Sequence, residues 1–216
     1  MHTKTRNILI LGAGGHGIVV ADIIQHMAEK NIKIRSFLDD NIELHGKSIS
    51  GYTVLGGDER MKEYPDDAVV IAVGNNQIRR NIVQKWTKSN LRYFTAIHPG
   101  SIISPSAQIG EGVMICAGAV VNPEARIGNH VILNTSCSVD HHNVIRDFAH
   151  IAPGVHLGGE VVVGEGALVG LGSSVMPRVK IGEWAKVGVG SVVRKDVPPY
   201  TVVAGNPARV IRSVKH

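Results

Sequence analysis

From Ile97 to Val193 an isoleucine, valine or leucine recurs at every sixth position without interruption, through Ile103, Ile109, Ile115, Val121, Ile127, Leu133 and onward. Six matches neither the 3.6-residue period of a helix nor simple strand alternation, so it predicts a solenoid whose short strands stack coil on coil. Two residues before each aliphatic, starting at Ser101, stands a small or β-branched residue that would point into a narrow coil. Asn143 is the exception, and it follows directly on His141 and His142. A repeat that breaks its own rule marks a place with another task. Gly110, Gly128, Gly158, Gly164, Gly170, Gly182 and Gly188 come immediately after an aliphatic, where a corner is expected to need glycine's backbone freedom. With three hexads to a triangular turn, the segment amounts to about five to six coils.

The chain ahead of the repeat is patterned differently. Asn7 to Leu11, Ile34 to Leu38 and Asp67 to Val73 read as buried strands, and Leu91 to Ile97 as a strand leading into the solenoid. Ile18 to Ala28 and Asn76 to Ser89 read as helices. Strands alternating with helices predict a small parallel α/β sheet over residues 1–96, followed by a parallel β-helix over 97–216.

Composition narrows the chemistry. An apolar fraction of 44% over 216 residues suffices for a real core, and no apolar run reaches membrane-spanning length. The expected location is the cytoplasm, because the N-terminus leads into a strand instead of a cleavage site. Two cysteines make no disulfide framework, and the hexad phase puts Cys137 inside the coil. The net charge of +5 is scattered, which suits a small polyanion and lacks the basic stripe that nucleic acid would require.

Between the first strand and helix, Gly12-Ala-Gly14-Gly15-His16-Gly17 matches G-x-G-x-x-G, a turn whose amides can approach a phosphate at a helix N-terminus. Asp39 and Asp40 follow the second strand, where a ribose or base partner is expected. Gly74-Asn75-Asn76-Gln77-Ile78-Arg79 sits at another strand end and adds polar groups on the same edge. A unit of this size lacks the two halves that cradle a dinucleotide, so a mononucleotide-type ligand is expected.

Taken together, the GAGGHG turn, Leu38-Asp39-Asp40, GNNQIRR at 74–80, the hexad tract and the closing segment Asp196 to Arg209 resemble the PglD/NeuD group of bacterial sugar acetyltransferases. That group lies within the left-handed β-helix hexapeptide acyltransferases. The resemblance implies left-handed coils, a homotrimer with active sites between subunits, and acetyl-CoA as cosubstrate with no metal. It further implies a nucleotide-linked amino sugar as acceptor, with UDP and a 4-amino-4,6-dideoxy sugar as the expected pairing, for surface glycan or exopolysaccharide synthesis. Gly12, Gly14, Gly15, His16, Asp39, Asp40, Asn75, Asn76 and Arg79 are the expected sugar-nucleotide residues.

Acyl transfer from a thioester needs a base near the nucleophile, and imidazole titrates in the right range. In the resembled group the catalytic histidine matches His141, and His150 matches a histidine near the thioester. Several relatives carry an acidic residue where this chain has His142, which leaves Asp140 or Asp147 as the group expected to orient the ring. Gly159, Gly170, Leu171 and Gly188 resemble positions along the pantetheine groove, where corner amides would bond the cofactor. Sialic acid O-acetylation is the main rival reading. A zinc hydratase using His141, His142, His150 and His156 fits poorly in spacing, since Met114 stands where another histidine belongs. A non-catalytic nucleotide-binding scaffold is the third alternative.

Overall fold

Ile8, Leu9 and Ile10 are consecutive and wholly excluded from solvent, as are Val69, Val70 and Ile71 within 1%. Successive strand residues face opposite ways, so these runs require cover on both faces of a sheet. The computed structural model describes residues 6–27, 29 and 31–214, and it divides into two units, Met1–Pro99 and Gly100–His216. In the first unit, β1 (Arg6–Leu11) leads to α1 (Gly15–His26), β2 (Ile32–Leu38) and a small antiparallel hairpin of β3 (Ser48–Ile49) and β4 (Tyr52–Thr53). β5 (Ala68–Ile71), α2 (Asn76–Trp86), β6 (Arg92–Tyr93) and β7 (Ala96–Ile97) complete it. The main sheet is parallel in the order β2-β1-β5-β6.

The first helix starts at Gly15, three residues ahead of its expected start, while its expected end, Ala28, lies outside the described residues. The second helix stops at Trp86 instead of Ser89, and the last expected strand divides into β6 and β7. Buried Asp58 anchors the end of α2: it accepts from Lys85 Nζ at 2.6 Å and from Trp86 Nε1 at 2.9 Å. Among the described residues no helix is long and apolar enough to cross a membrane.

The second unit is the hexad solenoid. Its two-residue strands end on the predicted aliphatics, and those up to Ser174–Val175 pair in parallel with the strand 18 residues on, as in Val120↔Ser138↔His156↔Ser174↔Val192. Three sheets form the three faces, and an antiparallel hairpin of Thr201–Gly205 with Ala208–Ser213 closes the last coil. The interior positions are filled as the phase demands: Val113, Ala119, Val131, Cys137, Asn143, Val155 and Ala167 are all 0% exposed. Burial pushes the Cys137 thiol up to about 12 and that of Cys116 to about 11, which leaves both inert as nucleophiles.

The corners work differently from the sequence expectation. Left-handed backbone recurs every six residues, but two positions after the glycines that follow the aliphatics. Gly112, Gly118, Glu124, His130, Ser136, His142, Phe148 and Gly154 all have φ between 53° and 70°. Gly110 and Gly158 are required by crowding instead. A Cβ on Gly110 would come within 2.6 Å of Asn129 Oδ1, and one on Gly158 within 2.8 Å of Pro177. His130 fills one such corner, is 2% exposed and stacks on Phe148 at 5.3 Å.

Candidate active site

In the first unit, β1 lies between β2 and β5, with the chain running to β2 on one side and returning through β5 on the other. The crevice beyond the carboxyl ends of β1 and β5 is therefore the switch point where open α/β sheets bind ligands. Both glycine-containing loops issue there, since Leu11 pairs with Ile71. A Cβ on Gly12, whose φ is +109°, would lie 2.7 Å from the Ala72 carbonyl oxygen, and one on Gly17 would overlap the Gly12 carbonyl. Those two glycines let the chain close up. By contrast, nothing lies within 4 Å of a Cβ on Gly14 or Gly15, and Gly14 caps α1 with no side chain over the helix amides. This is open space at the positive end of a helix, suited to a phosphate.

The polar residues expected to touch the nucleotide first build the loops. Asp39 Oδ2 accepts the Ala13 amide at 2.8 Å and its Oδ1 the Asn41 amide at 2.9 Å, tying the glycine turn to the end of β2. Asp40 accepts from the Asp58 amide at 3.1 Å. Asn75 caps α2 through the Ile78 amide at 3.1 Å. The Arg79 guanidinium is 0% exposed, donating to the Val73 carbonyl at 2.7 Å and to Asn76 Oδ1 at 2.9 Å. In this structure, then, Arg79 does not extend into solvent; it braces the second loop from within. Burial, with Arg79 nearby, lowers the His16 imidazole to about 4, so the ring is neutral at pH 7.

In the second unit, His141 stands on the corner after the strand Ser138–Val139 and is exposed. Its ring lies against the next coil, where a Cβ on Gly159 would come within 2.5 Å of Cε1 and 2.6 Å of Nε2. The main chain is fixed on both sides: the Glu160 amide donates to the His141 carbonyl at 3.0 Å, and the His141 amide donates to Asp140 Oδ1 at 2.7 Å. Asn122 donates to the same carboxylate at 3.0 Å. Asp140 thus holds the backbone of His141, while Asp147 accepts from the Asn129 amide at 2.8 Å. The atom facing Nδ1 of His141 is Nδ1 of His142, at 3.1 Å. Both carboxylates weighed as orienting groups are used elsewhere, and an imidazole occupies that place.

Asn143 points inward behind this corner, where its Oδ1 accepts the Val161 amide at 2.6 Å and its buried Nδ2 finds no acceptor among the described residues. His150 lies on a different face from Ser138–Val139, paired in register with Ile132 and Leu168, and its Nε2 is 3.1 Å from Asn134 Nδ2. His156 Nδ1 meets Ser138 Oγ at 2.8 Å. Among the described residues these histidines converge on no common metal position. The corner glycines need correction too. The amides of Gly170 and Gly188 are not bare, since they donate to the Val187 and Val203 carbonyls at 2.9 and 2.7 Å. A Cβ at either would clash, with Val187 O at 2.5 Å or Ala204 Cβ at 2.7 Å. Leu171 beside them is half exposed. Asn122 is a contributor that the sequence reading missed, and only its place one coil before Asp140 would have indicated it.

Known proteins resemble the chain over both of its units. Residues 7–86 match the PglD N-terminal domain. The curated UDP-N-acetylbacillosamine N-acetyltransferase of Bacillus subtilis is 40% identical over 114 residues, and the match spans about half the length of each protein (52%). The acetyltransferase domain of PglB from Neisseria gonorrhoeae, solved in complex with acetyl coenzyme A, superposes with a TM-score of 0.88 at 33% identity, covering 96% of this chain and all of that one (100%). A mutant perosamine N-acetyltransferase from Caulobacter crescentus, solved with CoA and GDP-perosamine, gives a TM-score of 0.88 at 32% identity, covering 95% of this chain and 96% of the other. With one fold shared over nearly its whole length at such identity, the chain belongs to the PglD/NeuD-type sugar acetyltransferases of the hexapeptide acyltransferase family.

Proposed function

We propose that the chain transfers the acetyl group of acetyl-CoA to the 4-amino group of a UDP-linked 4-amino-4,6-dideoxy sugar, in the cytoplasm, for a surface glycan or exopolysaccharide. The observation that carries the reading is the His141 corner, with an exposed imidazole seated on Gly159 and faced by His142. If Nδ1 of His141 donates to Nδ1 of His142, the lone pair of its Nε2 is left to take a proton from the amine. The amine nitrogen bonds to the thioester carbonyl carbon, and a backbone amide steadies the oxyanion. The C–S bond then breaks, and the proton returns to the CoA sulfur.

In this proposal the sugar diphosphate lies before Gly14 and Gly15 at the start of α1, with Asp39 and Asp40 towards the base. UDP is preferred because the Bacillus subtilis relative at 40% identity acts on a UDP sugar, whereas the Caulobacter protein at 32% is bound to GDP-perosamine. The acetyl-CoA groove with His150 and Leu171, and assembly as a homotrimer that brings His141 and His150 of neighbouring chains together, belong to the same proposal. It is supported by their separate faces within one chain. The test is a substrate panel: UDP-, GDP- and dTDP-linked 4-amino sugars and free sialic acid, each with acetyl-CoA and analysed for acetylated product. Turnover of the UDP compound is expected. Preference for the GDP compound would replace the nucleotide, and sialic acid turnover would replace N-acetylation.

A further inference from the structure

Asp22 and His26 are one helical turn apart on α1, so their side chains stand together on its solvent face, 58% and 56% exposed. His98 follows β7, which packs against α1. The three side chains each bring one potential ligand atom to within 4.8 Å of the other two. His26 Nδ1 is 3.4 Å from Asp22 Oδ1, and the rings of His26 and His98 are 5.3 Å apart between centroids, inclined at 37°. For tetrahedral zinc with bonds of about 2.0–2.1 Å, neighbouring ligand atoms are about 3.3–3.4 Å apart and two bound imidazoles have centroids about 5.2 Å apart. The His26–Asp22 distance and the His26–His98 centroid separation match these two values.

We infer that Asp22, His26 and His98 form a binding site for a divalent transition-metal ion of the zinc class. Two imidazoles and a carboxylate are a borderline nitrogen and oxygen set that suits zinc and its neighbours, whereas calcium and magnesium prefer all-oxygen shells. Three protein ligands leave the fourth position to water. His26 Nδ1 also sits 2.9 Å from the Asp22 carbonyl oxygen, so coordination through that nitrogen exchanges a hydrogen bond for a metal bond and moderates the affinity. An ion here ties the helix that begins at the glycine turn to the segment after β7, which would stiffen the nucleotide-binding unit. The inference is independent of the proposed acetyl transfer.

Zinc titration of the tag-free full chain by calorimetry, with a thermal melt at each endpoint, tests it. One equivalent bound with micromolar affinity and a raised melting temperature is expected. His98→Ala and Asp22→Asn should each weaken that binding more than about tenfold and abolish the thermal shift. Both replace exposed or partly exposed side chains, so their zinc-free melts should match the parent and show that folding is intact. Absence of stoichiometric zinc binding at sub-millimolar concentration would overturn the inference. So would binding that persists in both variants, which would assign the zinc to other histidines.

Discussion

The Nδ1 atoms of His141 and His142 are 3.1 Å apart, with their rings nearly perpendicular at 84°. His142 holds this position from a left-handed corner, φ +59°, a conformation that histidine tolerates better than most side chains. A carboxylate there would add a negative charge beside the ring, whereas an imidazole fixes tautomer and orientation without one. His142→Ala should therefore lower kcat roughly tenfold, in the range for loss of an orienting partner, with little change in KM for acetyl-CoA. His142→Glu should restore turnover, because a carboxylate at that position can accept the same ring N–H. Steady-state kinetics would show both effects.

Gly159 is a further contributor to that corner. Alanine at this buried position would meet the His141 ring at 2.5 Å, and the ring must swing away. A displacement near 1 Å at a catalytic group costs up to about 10²-fold. Gly159→Ala should reduce kcat by roughly 10- to 100-fold while the melting temperature changes little, because the ring is exposed and free to move outward. Paired kinetic and melting measurements separate this from general misfolding.

The glycines of the first turn should divide into two classes. Gly14→Val fills open space before α1 and should raise KM for the sugar nucleotide more than that for acetyl-CoA, with stability nearly unchanged. Gly17→Ala places a methyl group on the Gly12 carbonyl and should destabilise the unit by about 1–3 kcal/mol or more. Denaturant melts together with KM for each substrate distinguish the two.

Acid should weaken the first unit through His16, whose pKa falls from 6.5 to about 4 on folding. The unfolded chain binds this proton more readily, so the neutral ring's contribution is complete above 6.5 and is lost as the pH falls from 6.5 towards 4. Melting temperatures of the parent should drop over that window more steeply than those of His16→Gln. Parallel curves would remove His16 as the cause.

The hexad made the solenoid legible because one side-chain period carries both the stacking and the coil interior, down to Asn143 being buried like Cys137 and Ala149. The sheet of the first unit was equally plain from its unbroken aliphatic strands. Side-chain partners were not. Asp140 and His142 are both adjacent to His141, and only corner geometry sends the carboxylate to the main chain and leaves the imidazole beside the ring. Asp39 and Arg79 look like ligand residues in sequence, yet their bonds to Ala13 and Val73 depend on how closely the loops of β1 and β5 approach. Crowding between coils, which explains Gly110 and Gly158 better than backbone freedom does, arises 18 or so residues away and leaves no local signature.

The most direct measurement is thiol release from acetyl-CoA with a UDP-linked 4-amino-4,6-dideoxy sugar, comparing the parent with His141→Ala at equal assembly state. The account predicts rapid release that needs the amino sugar, and a loss of roughly 10²- to 10⁴-fold in the variant. Near-normal turnover by His141→Ala would contradict it and remove the imidazole corner from the chemistry.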